Sequence, residues 1–129
     1  MSTTKTIAVA VYGSLKRGFY NHRVLNGAPF LASGTVTGFE MFDLGSYPMV
    51  VPGDGSIAVE IYEVNPATFG QLDRLEGFPS FYGRKMITAV TDYCPVEAWM
   101  YVGQAHQVRG QKQVTSGVWP LEEPQRLWR

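Results

Sequence analysis

The apolar run IAVAV at residues 7–11 leads directly into the segment YGSLKRG at residues 12–18. Such a run indicates a strand, and Gly13 then favours a turn because glycine adopts backbone conformations that are closed to other residues. The backbone N–H groups of such a turn can bind an anion or a carbonyl oxygen. The residues alone leave two alternatives open, an ordinary strand-ending turn and a loop that binds a ligand through its backbone.

Four further apolar stretches have the alternation and the Gly, Pro, Asn or Asp boundaries that are typical of strands. Together with the first, they predict strands over residues 6–12, about 31–37, 57–64, 85–91 and 96–103. In the two best defined stretches, 57–64 and 96–103, alternate residues give each strand two chemically different faces. The segment Pro52-Gly53-Asp54-Gly55 predicts a turn before the third strand.

One helix has clear signals at both ends. Asn65 suits the N-cap, Pro66 suits the first helical position, and Gly77 suits the left-handed position at which a helix ends. A second, shorter helical turn is predicted over residues 21–25. Because strands outnumber helices and do not alternate with them, the predicted class is α+β, with a strongly twisted or partly closed sheet.

Length and charge limit the classes of protein that this chain can represent. Its 129 residues suit a single domain over 1–129, with a core of about 6–103 and a C-terminal tail of 104–129. Eleven Lys and Arg balance eleven Asp and Glu, so we expect no nucleic-acid partner and no membrane anchor. With no apolar stretch of membrane-spanning length, a cytoplasmic protein is predicted. His22 and His106 are too isolated for a metal site, and we expect neither metal nor cofactor.

Glu76 is the carboxylate with the strongest case for a chemical role. At about 100° per residue, Phe69, Leu72 and Glu76 share one face of the predicted helix. Burial and the negative end of the helix dipole both disfavour the carboxylate anion, so we expect the pKa of Glu76 to rise. Helix geometry alone favours a plainer role, either a surface position or an ion pair with Arg74 or Arg84.

Taken together, these motifs resemble the γ-glutamylcyclotransferase family, specifically its short branch of AIG2-like and YtfP-like proteins. The resemblance covers about residues 6–103 and rests on YGSLKRG, NHRVL at 21–25, YP at 47–48, EIY at 60–62, LDRLEG at 72–77, Tyr82 and Arg84. It implies a small mixed β-barrel with short flanking helices. It also implies that Glu76 is the proton shuttle.

The same resemblance implies which residues bind the substrate. The γ-glutamyl group would be held by the backbone amides of the loop that contains Tyr12, Gly13, Ser14 and Leu15. Tyr82 and Tyr101 are expected near the pocket, where each hydroxyl can hold a carboxylate or an amine. For Tyr101, a half-buried strand position with a solvated hydroxyl is an equal alternative. The choice of leaving amine is expected to depend on an outer wall, at about residues 78–81, and on the C-terminal tail.

The implied reaction is a cofactor-free cyclisation of a γ-glutamyl amine or amide, which gives 5-oxoproline and a free amine. Glu76 would take a proton from the α-ammonium group and return it to the leaving nitrogen. Two other classes stay open, a binding module that holds γ-glutamyl-like ligands without reaction, and a small hydrolase with Ser14 as nucleophile. Asp73 is expected to be solvated or to cap a helix. Arg84 and Arg23 are expected to bind a carboxylate or to form structural ion pairs.

Overall fold

The computed structural model describes residues 5–119. The strands in this range are β1 (Ile7–Val11), β2 (Phe30–Asp43), β3 (Pro48–Val64), β4 (Gly83–Thr91), β5 (Val96–Val102) and β6 (Lys112–Val114). The helical segments are one α-helix, α1 (Pro66–Glu76), and two short 3₁₀ helices, Tyr20–Leu25 and Ala105–Val108. The strands and helical segments that the sequence predicts are therefore all present, although several strands are longer than expected.

Five of the strands close into a barrel. Their order is β3-β1-β5-β4-β2, and β2 pairs back onto β3. Neighbouring strands are antiparallel except β1 and β5, which run parallel. The sixth strand, β6, adds to β2 outside this ring. The predicted α+β fold, a small mixed β-barrel with short flanking helices, is confirmed.

Both faces of several barrel strands are buried. The interior is filled by residues from all five strands, including Ala10, Val36, Val59, Ala89 and Ala98. A second apolar cluster covers the outer faces of β1, β3 and β5 and includes Leu72 of α1. Because side chains alternate along a strand, β1 contributes to both clusters. The helix therefore lies against the outside of the barrel, next to the strand that ends in the glycine loop.

The ends of α1 lie where the sequence predicts them. The Asn65 side-chain oxygen accepts a hydrogen bond of 2.7 Å from the backbone N–H of Thr68, as an N-cap does. At the other end, Gly77 has a φ angle of 69°, a left-handed conformation that favours glycine. Glu76 is therefore the last residue of the helix, and Leu72, one turn earlier, is fully buried.

The turn predicted at residues 52–55 is wrong. Phe39 pairs with Pro52 and Thr37 pairs with Ser56, so β2 and β3 stay paired on both sides of this segment. The shift of register between the two pairs places the glycine-rich residues in a bulge of one long strand. Proline and glycine produce a bulge in place of a chain reversal here, because the partner strand continues past them. For the same reason, β2 extends to Asp43 and not to residue 37.

Residues beyond 103 also pack against the barrel. Val108 of the second 3₁₀ helix and Val114 of β6 are buried, and β6 covers β2 from Met41 to Asp43. The rest of the predicted C-terminal tail, residues 120–129, lies outside the described residues. In the described part of the chain, no helix combines the length and the apolar character needed to cross a membrane.

Candidate active site

A cavity of about 540 Å³ lies where the end of β1 meets the C-terminus of α1. Its wall contains every residue that the sequence analysis assigns to the site, namely Tyr12, Gly13, Ser14, Leu15, Glu76, Tyr82 and Tyr101. These residues come from four separate parts of the chain, which the closed barrel and the packed helix bring together. The volume is that of a typical small-molecule site.

Gly13 is required by close packing in this wall. A β-carbon at this position would lie 2.8 Å from Cγ of Pro48, a separation that packed carbon atoms do not adopt. Gly13 is not among the residues with positive φ, so the expected conformational reason for a glycine is wrong. The reason is space, because the loop passes directly against the start of β3. The Gly13 carbonyl accepts a hydrogen bond of 2.9 Å from the N–H of Lys16, which closes the turn.

The first 3₁₀ helix holds the glycine loop in place. The Asn21 side-chain amide donates a hydrogen bond of 2.9 Å to Oγ of Ser14. His22 Nδ1 lies 2.9 Å from the carbonyl oxygen of Leu15, which can only accept, so Nδ1 carries the proton. The loop residues 13–15 belong to no helix or strand. Among the turn and loop hydrogen bonds within residues 5–119, none is donated by their backbone N–H groups to a backbone carbonyl. Three adjacent donors are therefore available beside the cavity.

Glu76 lies in the cavity wall and is partly buried. Burial raises the pKa of its carboxyl from the ordinary value of 4.5 to about 7. Loss of contact with water on burial is the cause of this shift. The expected direction is confirmed. A carboxyl with a pKa near 7 can both accept and return a proton at neutral pH.

Three buried tyrosines line the cavity, and each hydroxyl proton already has an acceptor in the protein. Tyr12 donates to the carbonyl oxygen of Tyr101 at 2.8 Å, and Tyr82 donates to that of Pro48 at 2.7 Å. The Tyr101 hydroxyl donates to the carboxylate of Asp73 at 2.6 Å, so it is not solvated. Burial raises the pKa of all three phenols, which therefore stay neutral. The Tyr12 oxygen also accepts a hydrogen bond of 3.3 Å from the N–H of Val50. The oxygens of Tyr82 and Tyr101 can accept a hydrogen bond from an amine, but none of the three protons is free for a carboxylate.

Asp73 and Arg84 form an ion pair next to the cavity. Arg84 Nε lies 3.0 Å from Oδ1 of Asp73, and a second guanidinium nitrogen lies 3.2 Å from Oδ2. Partial burial opposes ionisation of Asp73, but the hydrogen bonds from Arg84 and Tyr101 outweigh it and lower the pKa of this carboxyl. The expectation that Asp73 is solvated or caps a helix is wrong. Asp73 stays anionic, and of the two carboxyls Glu76 is the one suited to proton transfer.

The two arginines considered as carboxylate binders both have partners inside the protein, and for Arg84 that partner is the carboxylate of Asp73, which is the expected structural ion pair. The Arg84 guanidinium also lies over three aromatic rings, those of Phe69, Phe78 and Trp99. Arg23 donates to the Tyr20 hydroxyl at 2.8 Å and lies over the same ring. Neither arginine is part of the cavity wall. Both arginines therefore bind other residues of the protein and do not face the cavity.

Sequence reasoning missed most of the outer wall of the cavity. This wall contains Tyr20, Tyr47, Leu75 and Phe81. Only Phe81 falls within the outer wall expected at residues 78–81. One signal was available in the sequence, because Leu75 is an apolar residue outside the buried face of an amphipathic helix, and such a residue often marks a contact site.

The barrel, the glycine loop and the partly buried carboxyl define a small β-barrel protein with a cavity that suits a small molecule, and comparison with known proteins gives the family. Residues 9–121 match the family described as gamma-glutamyl cyclotransferase, AIG2-like. The gamma-glutamylcyclotransferase family protein YtfP of Escherichia coli is 36% identical over 111 residues, which cover 86% of this chain and 94% of that protein. The chain belongs to the γ-glutamyl cyclotransferase AIG2-like family.

Solved structures agree with this assignment. The crystal structure of an AIG2-like protein from Mus musculus has a TM-score of 0.80 and 27% identity, and the match covers 95% of this chain and 93% of that one. The solution structure of YtfP from Escherichia coli has a TM-score of 0.67 and 36% identity, and the match covers 88% of this chain and 96% of that one. The likeness therefore extends over nearly the whole of both proteins.

Proposed function

We propose that the protein is a cofactor-free γ-glutamyl cyclotransferase that converts a γ-glutamyl amine or amide to 5-oxoproline and a free amine. The observation that carries this proposal is the position of Glu76, a carboxyl with a pKa raised to about 7 in the wall of a small-molecule cavity. Family membership supports the class of reaction. The reaction needs a proton acceptor, a set of hydrogen-bond donors and a closed space, and the cavity offers all three.

In the proposed mechanism, the substrate supplies its own nucleophile. Glu76 as carboxylate takes a proton from the α-ammonium group, and the resulting amine attacks the γ-carbonyl carbon. A new C–N bond forms and the carbonyl oxygen becomes an oxyanion. Glu76 as carboxylic acid then protonates the leaving nitrogen, and the old amide bond breaks. A second proton passes from the ring nitrogen to the departing amine by the same route, so Glu76 ends as it began.

The glycine loop is the proposed binding site for the γ-glutamyl group. The backbone N–H groups of residues 13–15 are adjacent donors that suit a carboxylate or a developing oxyanion. Tyr82 and Tyr101 contribute oxygen atoms that can accept from the α-ammonium group before it loses its proton. Holding both ends of a flexible glutamyl chain favours the folded geometry that ring closure requires.

The hydrolase alternative has weaker support in the geometry. A serine nucleophile needs a base that accepts its proton. Oγ of Ser14 instead accepts a hydrogen bond from the Asn21 amide, and His22 uses Nδ1 on the Leu15 carbonyl. A binding module without activity would share the cavity but would have no use for a carboxyl whose pKa is near 7.

A product assay separates these three classes. The protein is incubated with a panel of γ-glutamyl amides, and chromatography quantifies 5-oxoproline, glutamate and the free amine. The cyclotransferase gives 5-oxoproline and amine in equal amounts. Glutamate in place of 5-oxoproline would indicate a hydrolase, and binding of the amides without any product would indicate a module.

The pH dependence of turnover tests the state of Glu76. Because the pKa of Glu76 is about 7, the carboxylate that accepts the ammonium proton is lost below that value. We expect kcat/KM for 5-oxoproline release to fall about tenfold per pH unit below about pH 7, which is the behaviour of a single essential base. Initial rates from pH 5 to pH 8, with circular dichroism to verify folding at each pH, provide the measurement. An inflection that stays near 4.5 would contradict a buried base.

A further inference from the structure

The mouth of the cavity is surrounded by three exposed side chains with large apolar surfaces and by one half-buried tyrosine, Tyr47, and we call these four residues the apolar rim. It consists of Tyr20, Tyr47, Leu75 and Phe81, all of which line the cavity. The exposed fraction is 76% for Tyr20, 44% for Leu75 and 41% for Phe81. Large apolar side chains grouped at one opening, with so much surface in water, typically mark a place where a ligand binds.

Phe81, one residue of the apolar rim, is held in position by hydrogen bonds of its backbone. The N–H of Phe81 donates to the carbonyl of Gly77 at 2.8 Å, and the Gln107 side chain donates to the carbonyl of Phe81 at 2.7 Å. The Tyr47 and Phe81 rings meet edge to face, with centroids 6.2 Å apart. A side chain fixed in this way loses little conformational entropy when a ligand covers it.

The cavity has a buried end and an open end, and this determines which part of a substrate contacts the apolar rim. The glycine loop and the three tyrosines form the buried end, where Tyr12, Leu15, Tyr82 and Tyr101 are each at most 6% exposed. The γ-glutamyl group is common to all substrates of the proposed reaction and binds at that end. The substituent of the leaving amine therefore points outward and lies against the apolar rim.

The charges of the residues that line the cavity determine which substituent of the leaving amine can bind there. Among the lining residues in the described part of the chain, Glu76 is the only one with an ionisable carboxyl or a basic side chain. A carboxylate on the leaving amine would be repelled by Glu76, and the Arg23 guanidinium beside the rim already donates to the Tyr20 hydroxyl and lies over its ring. A second ammonium group would find no other anion, because Glu76 is occupied with the α-ammonium group. An apolar substituent gains free energy from the rim and leaves no charge without a partner.

We infer that the leaving amine carries an uncharged, apolar substituent, aliphatic or aromatic, which is bound by Tyr20, Tyr47, Leu75 and Phe81. This inference rests on the proposed function and adds the class of substrate to it.

Three γ-glutamyl amides of equal chain length test the inference. They are the amides of hexylamine, of 6-aminohexanoate and of 1,6-diaminohexane, whose free ends are neutral, anionic and cationic. We expect kcat/KM for release of 5-oxoproline to be at least about tenfold higher for the hexylamide than for either charged amide. Burial of about two further CH₂ groups is enough for a ratio of this size.

Substitutions in the rim connect this preference to the named residues. Leu75→Gln and Phe81→Gln should each lower the ratio of kcat/KM between the neutral and the charged amides severalfold. Leu31→Gln makes the same chemical change at a leucine that is 39% exposed and outside the cavity wall, and it should leave the ratio unaltered. The ratio is the readout because it cancels any general effect of a substitution on Glu76.

Three other results would contradict the apolar leaving amine, the role of the rim residues or the proposed function. Equal turnover of the three amides, or preference for a charged one, overturns the apolar leaving amine and leaves the cyclotransferase in place. A preference that persists in both rim variants overturns the assignment to these residues. Absence of 5-oxoproline from all three amides, and from the wider panel, overturns the proposed function and this inference with it.

Discussion

Glu76→Gln is expected to lower the rate of 5-oxoproline release by about 10²- to 10⁴-fold, the usual contribution of a general acid–base group. Glutamine has nearly the shape of glutamate but can neither accept the ammonium proton nor return one to the leaving nitrogen. The rate constant is measured by chromatography of 5-oxoproline under saturating substrate. Binding of substrate, measured by calorimetry, should change far less than turnover, because the backbone of the glycine loop is untouched.

The stability of Glu76→Gln shows whether a loss of activity comes from catalysis or from unfolding. Burial raises the pKa of Glu76 in the folded state, so folding favours the protonated carboxyl, and stability is lost as pH rises from about 4.5 through about 7. Above pH 7 the ionised carboxylate destabilises the folded state, and glutamine removes that cost. The unfolding temperature of Glu76→Gln at pH 8 should therefore equal or exceed that of the original protein.

A matched control keeps the activity result specific. Glu97→Gln makes the same change at an exposed glutamate on β5 that is not part of the cavity wall. It should alter neither turnover nor unfolding temperature by a measurable amount. If Glu76→Gln retained more than about a tenth of the original rate, another group would have to act as the proton shuttle, and the mechanism given above would be wrong.

The parts of the fold that the sequence predicts well are those with local signals. Asn65 and Pro66 begin α1 and Gly77 ends it, because caps act within one helical turn of the residues that they stabilise. The short strand before Gly13 is equally local. The bulge at residues 52–55 is different, because the local residues are those of a turn and only the continued pairing with β2 keeps the strand extended.

The site shows the same division between local and long-range information. The position of Glu76 on the partly buried side of α1 follows from helix periodicity and the capping residues. The ion pair of Asp73 with Arg84 could not be predicted, because it depends on how β4 packs beside a helix that precedes it in sequence. The reason for Gly13 was equally out of reach, since Pro48 is brought against it only by closure of the barrel.

Leu72→Ala should have the largest effect on stability of any prediction made for this helix. Leu72 is fully buried between α1 and the outer face of the barrel. Truncation to alanine removes the buried methyl groups and leaves a cavity that the barrel strands cannot readily fill. The free energy of unfolding is expected to fall by about 2–5 kcal/mol, the range measured for such core changes. Denaturant titration followed by circular dichroism provides the measurement.

Leu75→Ala is the matched comparison, because the same change is made three residues later on the same helix at a side chain that is 44% exposed. Less apolar area leaves the interior and no enclosed cavity forms, so the loss of unfolding free energy should stay within about 1 kcal/mol. Equal losses in the two variants would mean that α1 is not anchored through Leu72.

Glu76 is held at the cavity by the packing of Leu72, since Glu76 lies one helical turn beyond Leu72 on the same face. Well below its unfolding temperature, Leu72→Ala should therefore also show a reduced rate of 5-oxoproline release, with the inflection of its pH profile moved towards 4.5 as the loosened helix lets water reach the carboxyl.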